Sequence, residues 1–150
     1  MKRFNLLLLS WFGSGYSPVA PGTAGSIAAL PFAWVIAIYW GATGLAAAAL
    51  LVFVIGWFLC SITPEAKRDP GWVVMDEVAG QWLTLAVVPP NLLLYGLGFL
   101  LFRLFDILKP WPIRALEKNM PGGLGVMIDD IAAAVYAGIL LYGAFLIIGA

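Results

Sequence analysis

Long apolar segments alternate with short polar ones along this chain, and the pattern predicts a bundle of helices. No charged residue occurs in 4–64, in 78–102 or in 131–150. At ~1.5 Å rise per residue, a helix of about 17–20 residues crosses the hydrocarbon core of a membrane. We therefore predict an all-α integral membrane helical bundle with about four to five transmembrane helices. Its Gly/Pro-rich loops lie on the cytoplasmic side, and residues 1–150 form a single domain.

Glycine and proline positions predict the boundaries of these helices. Gly41 and Gly44 indicate a turn inside a first hairpin, and Pro89-Pro90 indicates a turn inside a second one. In the second hairpin Asp76 and Arg103 lie 13 residues from the turn on either side, which places them at the same depth. The predicted segments outside that hairpin are a short interfacial helix up to residue 12, a loop over 13–26, and apolar helices over 25–39, 45–62 and 131–148.

The composition excludes several classes of protein. Charged residues make up 11% and hydrophobic residues 63% of the chain, whereas charged residues are about 25% of a soluble domain. The net charge is zero and the cations are spread over short segments, so we predict no nucleic-acid partner. The chain has no histidine, which excludes Ser-His and Cys-His nucleophile pairs, His-ligated zinc and phosphohistidine chemistry. Carboxylates, Lys, Arg and hydroxyls remain, and this set favours a hard metal ion.

The charged residues lie at the edges of the apolar segments, which is typical of a site at a membrane surface. The positive-inside rule places the cations on the cytoplasmic side, but acids contribute little to orientation. Asp129 and Asp130 alone could merely open the last helix, where acids are favoured by the helix dipole. The whole acidic set is not explained in that way, and oxygen ligands without His or Cys favour Mg²⁺. Its members are Asp76, Glu77, Asp106, Asp129 and Asp130.

A phosphate group is the substrate feature that best fits the neighbouring cations. Arg103 supplies paired donors and Lys109 a point charge, and two Gly-rich turns could add backbone N–H groups. The residues alone thus predict a metal-and-phosphate site at a membrane surface. The alternative is a small cation-coupled membrane transporter or channel, whose paired acids bind the translocated ion. Against it, no charge lies near the middle of an apolar segment.

Four motifs in this chain resemble the phosphatidylglycerophosphatase A family. They are GSGYSPVAPGTAGS (13–26), MDEVAGQW (75–82), FRLFDILKPWPIR (102–114) and GGLGVMIDDIAAAVYAG (122–138). The resemblance implies a multi-pass, Mg²⁺-dependent phosphatase of the bacterial inner membrane, with its active site on the cytoplasmic face. Its substrate would be a phospholipid of the bilayer, phosphatidylglycerophosphate, and its products phosphatidylglycerol and inorganic phosphate.

The resemblance also implies roles for individual residues. The implied metal ligands are Asp76, Asp106, Asp129 and Asp130, and Glu77 joins them as a catalytic residue. The implied substrate-binding residues are Arg103, Lys109, Thr23 and Ser26. The nucleophile is either a water activated by the ion or a carboxylate that forms an acyl-phosphate. The segment between Ala66 and Asp76 varies in length within the family, so the resemblance assigns nothing to Asp69.

Overall fold

The computed structural model describes residues 2–120 and 122–149, with the side chains of 116–118 outside the description. The described part of the chain contains helices and no strand, which confirms the predicted all-α class. One-turn 3₁₀ segments lie at Ser14–Tyr16 and Pro64–Ala66. The helices are α1 (Lys2–Leu9), α2 (Pro21–Ile62), α3 (Met75–Leu85), α4 (Leu92–Leu108), α5 (Ile113–Asn119) and α6 (Gly123–Ile148).

Helix α2 is a hairpin of two arms, residues 21–40 and 42–62, as the glycine pattern predicts. The helical conformation is broken at Gly41, where φ is 66° and ψ is −167°. A positive φ strains residues that carry a Cβ, so glycine is the residue that allows this turn. Both free ends return to the start of α3, because Gly22 of the first arm packs on Glu77 and Gly56 of the second packs on Met75. The first arm begins at Pro21 and not near residue 25, so the predicted loop over 13–26 ends earlier.

Helix α3 lies at the centre of the bundle. Val78, Ala79 and Leu85 are completely buried, and the Trp82 indole N–H donates a hydrogen bond of 2.9 Å to the carbonyl of Ala29 in α2. With 11 residues, α3 is about 16 Å long, roughly half the thickness of the hydrocarbon core. This helix is therefore a buried element of the bundle and too short to cross a membrane alone.

Helices α2 and α6 are long and apolar enough to cross a membrane. Only 33% and 28% of their most apolar windows are buried inside the chain, so most of these side chains face outward. Large apolar side chains such as Leu92 and Ile147 are also almost fully exposed. An apolar surface of this extent is that of a membrane protein. The predicted count of four to five spanning helices is not confirmed.

Helix α6 begins eight residues earlier than the sequence predicts, at Gly123 instead of Ile131. A Cβ at Gly123 would lie 2.6 Å from the Ser61 Oγ and from the Trp57 carbonyl oxygen. The glycine therefore serves the close approach of α6 to the second arm of α2, and it does not mark a loop. Asp129 and Asp130 consequently lie in the second turn of α6, so the alternative that they merely open the helix is wrong.

Candidate active site

Three helices, α3, α4 and α6, contribute charged side chains to one cleft at the end of the bundle, and the start of α2 forms part of its wall. The cleft has a volume of about 370 Å³ and is lined by the starts of α2 and α3, the end of α4 and the second turn of α6. The structure brings together every charged residue predicted for the site. The charged side chains of the lining are those of Asp69, Asp76, Glu77, Arg103, Asp106, Lys109, Asp129 and Asp130.

Three of these carboxylates form a tight group, which we call the acidic trio: Asp76, Glu77 and Asp130. One carboxylate oxygen from each lies within 4.8 Å of the others. Gly80, one turn after Asp76 on the same face of α3, explains how α6 comes so close. A Cβ at Gly80 would lie 2.9 Å from the backbone carbonyl oxygen of Asp130 and 2.5 Å from the ring of Phe102. A glycine in α3 thus sets the separation between Asp76 and Asp130.

Burial makes a charged acidic trio costly. The exposed fraction is 6% for Asp76 and 3% for Asp130. Loss of hydration raises the pKa of Asp76 well above its usual value, and the neighbouring Glu77 charge adds to this shift. Loss of hydration likewise raises the pKa of Glu77, with the charges of Asp130 and Asp106 adding to it.

The acidic trio fits a hard divalent cation. Glu77 Oε2 and Asp130 Oδ2 are buried without a hydrogen-bond partner among the described residues, and buried polar atoms normally have one. The atoms available as metal ligands are all carboxylate oxygens, and Mg²⁺ and Ca²⁺ prefer such ligands. A cation between them would supply the missing partner and offset the crowded negative charge.

Two other acids of the cleft, Asp106 and Asp129, are paired with its two cations. The Arg103 guanidinium forms an ion pair with Asp106 one turn along α4, and its Nη1 lies 3.7 Å from Glu77 Oε1. Lys109 Nζ donates a hydrogen bond of 2.5 Å to Asp129 Oδ2. The acidic trio therefore differs from the set of metal ligands predicted from the sequence. Glu77 belongs to the trio, whereas Asp106 and Asp129 form ion pairs with Arg103 and Lys109.

Arg103 also retains donor capacity toward the cleft. Its side chain is largely buried, and its Nε has no hydrogen-bond partner among the described residues. A guanidinium with an unused donor beside a group of acids is suited to a phosphate, which offers several acceptor oxygens.

Thr23 and Ser26 are not among the residues that line this cleft. Both lie in the first turns of α2, and Ser26 is completely buried. Its hydroxyl donates a hydrogen bond of 2.9 Å to the carbonyl of Gly22, one turn earlier. This contact is common for serine inside a helix and fixes the first turn of α2 instead of reaching the cleft.

Sequence reasoning assigned no role to two residues that the structure places in the cleft. Asp69 lines it from the loop before α3, with a left-handed φ of 49° that Asp tolerates better than most residues. Gly22 packs directly on the site, since a Cβ there would overlap Glu77 Oε1 and lie 3.1 Å from the Arg103 guanidinium. Gly22 could have been found from the sequence, because it lies in the motif over residues 13–26. No motif includes Asp69.

Comparison with known proteins assigns the chain to one family. The family model described as phosphatidylglycerophosphatase A matches residues 7–145. The phosphatidylglycerophosphatase A of Escherichia coli K12 is 42% identical over 139 residues, covering 91% of this chain and 80% of that protein. The protein of the same name from Haemophilus influenzae is 39% identical over 150 residues, covering 95% of this chain and 92% of that one.

A third relative has a different name. A putative phosphatidylinositol-3-phosphatase of Bacteroides thetaiotaomicron is 41% identical over an alignment of 165 residues, covering 99% of this chain and all of that protein. No solved structure matches the chain. The similarities extend over nearly the whole chain, including every element that lines the cleft.

Proposed function

Since this chain belongs to the phosphatidylglycerophosphatase A family and is a lipid phosphatase, we propose that it hydrolyses phosphatidylglycerophosphate to phosphatidylglycerol and inorganic phosphate with the aid of Mg²⁺. The acidic trio beside Arg103 and Lys109 is the observation that carries this proposal. It combines oxygen ligands for a divalent cation with donors for a phosphate. The transporter or channel alternative is not favoured, because the relatives are named as phosphatases.

In this proposal Asp76, Glu77 and Asp130 hold the ion. When bound, Mg²⁺ polarises the phosphoryl group and neutralises the negative charge that develops on the leaving glycerol oxygen. The ligand roles predicted from the sequence for Asp106 and Asp129 remain predictions. The geometry supports a second role for them, in which Asp106 orients the side chain of Arg103 and Asp129 that of Lys109 toward the cleft.

The two cations bind the phosphate in different ways. Arg103 has a planar guanidinium with an unused Nε donor and binds two non-bridging oxygens. Lys109 acts as a point charge from the end of α4. The nucleophile is either a water or a carboxylate of the cleft. If it is water, a carboxylate has to accept its proton, because the chain contains no histidine. Ser26 supports the first turn of α2, which carries Gly22 to the site. The substrate-binding role predicted for Thr23 remains a prediction.

We place the protein in the bacterial inner membrane as a multi-pass protein, with the cleft on the cytoplasmic face. Charged residues concentrate at the end of the bundle that carries the cleft, whereas the long outward-facing surfaces of α2 and α6 are apolar. The positive-inside rule assigns the end with the cations to the cytoplasm. A phospholipid can then leave its acyl chains in the leaflet while its head group enters the cleft.

The direct test is turnover of defined lipids by the purified protein in detergent with Mg²⁺. We expect release of inorganic phosphate from phosphatidylglycerophosphate, with phosphatidylglycerol as the lipid product by mass spectrometry. Phosphatidylinositol 3-phosphate is the comparison substrate because one relative is named for it. Faster turnover of the inositol lipid would identify phosphatidylinositol 3-phosphate as the preferred substrate. Turnover of neither lipid would refute the proposal.

A smaller test of the site geometry is Gly22→Ala. The added methyl group overlaps Glu77 Oε1, so the carboxylate has to leave its observed position in the acidic trio. We expect turnover to fall by about 10- to 100-fold, because small displacements of catalytic groups have effects of this size.

The matched control for Gly22→Ala is Gly96→Ala. Gly96 lies in α4, and a Cβ there would have no heavy atom within 4 Å. That change should leave turnover and melting temperature nearly unaltered. If Gly22→Ala also leaves turnover unaltered, Glu77 does not need its observed position.

A further inference from the structure

A second polar hollow adjoins the cleft at the end of α4. It has a volume of about 450 Å³ and is lined by Leu108, Lys109, Pro110, Trp111, Arg114 and Ala115. Lys109 lines both this hollow and the catalytic cleft. The two spaces are therefore neighbours separated by one side chain.

We propose that this hollow is a second anion subsite, which binds the phosphodiester of the lipid substrate while the terminal phosphate occupies the cleft. The inference rests on the proposed function and adds a specificity-determining residue, Arg114. A substrate such as phosphatidylglycerophosphate carries both groups, separated by one glycerol unit. The catalytic cleft accounts only for the terminal phosphate.

The charges of the hollow favour an anion. No acidic residue is among the described residues that line the hollow, whereas six acids line the neighbouring cleft. Among the described residues, the Arg114 guanidinium contacts the carbonyl oxygen of Leu108, at 3.5 Å. This distance is at the limit of a hydrogen bond, so the guanidinium can turn toward a bound phosphate without breaking an ion pair to a described residue.

The backbone around Arg114 is held in place, which favours binding of a ligand in a fixed position. The side chain of Ile113 is completely buried against a cluster with Phe102 and Ala133. The hydroxyl of Tyr136 in α6 donates a hydrogen bond of 3.2 Å to the Trp111 carbonyl. The segment before α5 is thus anchored from two sides, so binding requires little ordering of the chain.

Lipid access also favours this position. An exposed apolar stripe runs along the outer side of α4 through Leu104, Ile107 and Leu108. It continues beyond the helix end to Trp111, which is 81% exposed. The stripe ends at the hollow, which places the hollow between the lipid-facing surface and the cleft. A phosphodiester is the substrate group that lies between the acyl chains and the terminal phosphate, so it matches this order.

The test compares Arg114→Gln, Arg114→Lys and the control Arg3→Gln, which removes the same charge from exposed α1. Turnover of phosphatidylglycerophosphate in detergent micelles gives kcat and KM. Inhibition by phosphatidylglycerol, which keeps the phosphodiester but lacks the terminal phosphate, reports on the subsite alone. We expect Arg114→Gln to raise KM and to weaken this inhibition by about 5- to 20-fold each, as for loss of a partly exposed charge-assisted hydrogen bond.

Other results of the same experiment separate the explanations. Arg114→Lys should recover most of the affinity, Arg3→Gln should behave as the wild type, and kcat should change little in all three variants. An equal loss in Arg3→Gln would show general attraction to anionic lipid and overturn the subsite. Unchanged KM and inhibition in Arg114→Gln would also overturn it. If the wild type itself releases no phosphate, the proposed function fails instead.

Discussion

Replacing Asp130 with asparagine is expected to reduce phosphate release by roughly 10³-fold, because it removes a charged ligand from the acidic trio. Asp130 has 3% exposure, and its Oδ2 has no hydrogen-bond partner among the described residues. Asparagine has nearly the same shape but offers one neutral carbonyl oxygen. The cation site therefore loses one negative charge while the packing of α6 is preserved.

The same change should leave the metal-free fold as stable as before or more stable. Three carboxylates with oxygens within 4.8 Å repel each other when no cation is bound. Removing one of them relieves that repulsion, so the melting temperature in excess chelator should stay constant or rise. Loss of activity without loss of stability is the sign of a residue kept for function.

The control for Asp130→Asn is Glu65→Gln. Glu65 is an exposed acid paired with Lys2 at 2.5 Å, outside the cleft, and its replacement should not affect turnover. Nearly full activity of Asp130→Asn would show that the acidic trio does not hold the catalytic ion. A lower melting temperature in chelator would instead indicate a structural role for Asp130.

The second large effect is expected at Arg103. Arg103→Gln should lower turnover by about 10²- to 10³-fold, the range seen when one donor to a developing oxyanion is removed. The guanidinium forms ion pairs with Asp106 and Glu77 and keeps its Nε free of hydrogen-bond partners among the described residues. The glutamine variant also leaves two carboxylates without a cation, so a fall in its melting temperature is expected.

Arg103→Lys separates phosphate binding from charge balance. Lysine keeps the positive charge beside Asp106 and Glu77 but lacks the planar fork that binds two phosphate oxygens. We expect a melting temperature close to that of the wild type, turnover reduced by about 10-fold or more, and weaker inhibition by inorganic phosphate. Full activity of Arg103→Lys would show that Arg103 only balances the charge of Asp106 and Glu77 and that its planar guanidinium is not needed to bind the phosphate.

The sequence predicted the turns of the fold better than the helix starts. Gly41 and Pro89-Pro90 interrupt apolar runs, and the structure has a break or a loop at both places. At Gly22 and Gly123 the sequence predicted loops, but both residues lie in the first turns of helices. Glycine is required at these positions because the helices make close contacts there. Those contacts are made with residues 55 to 81 positions away in the chain, which local patterns do not reveal.

The set of charged residues in the cleft could be predicted, but their pairing could not. Helix ends carrying acids and cations were expected to meet, and they do. Which acids share a cation site and which pair with Arg103 or Lys109 depends on the close approach of α3 and α6 at Gly80. Asp69 was not assigned because its position depends on a left-handed turn in a loop with no repeating pattern.

The most direct test of the account is phosphate release from phosphatidylglycerophosphate by the wild-type protein in detergent micelles with Mg²⁺, with excess chelator, and after Mg²⁺ is added back. We expect release with Mg²⁺, no release with chelator and full recovery on re-addition, because the carboxylates of the acidic trio need a cation between them. Release that continues unchanged in excess chelator would contradict the assignment of Asp76, Glu77 and Asp130 as a catalytic metal site.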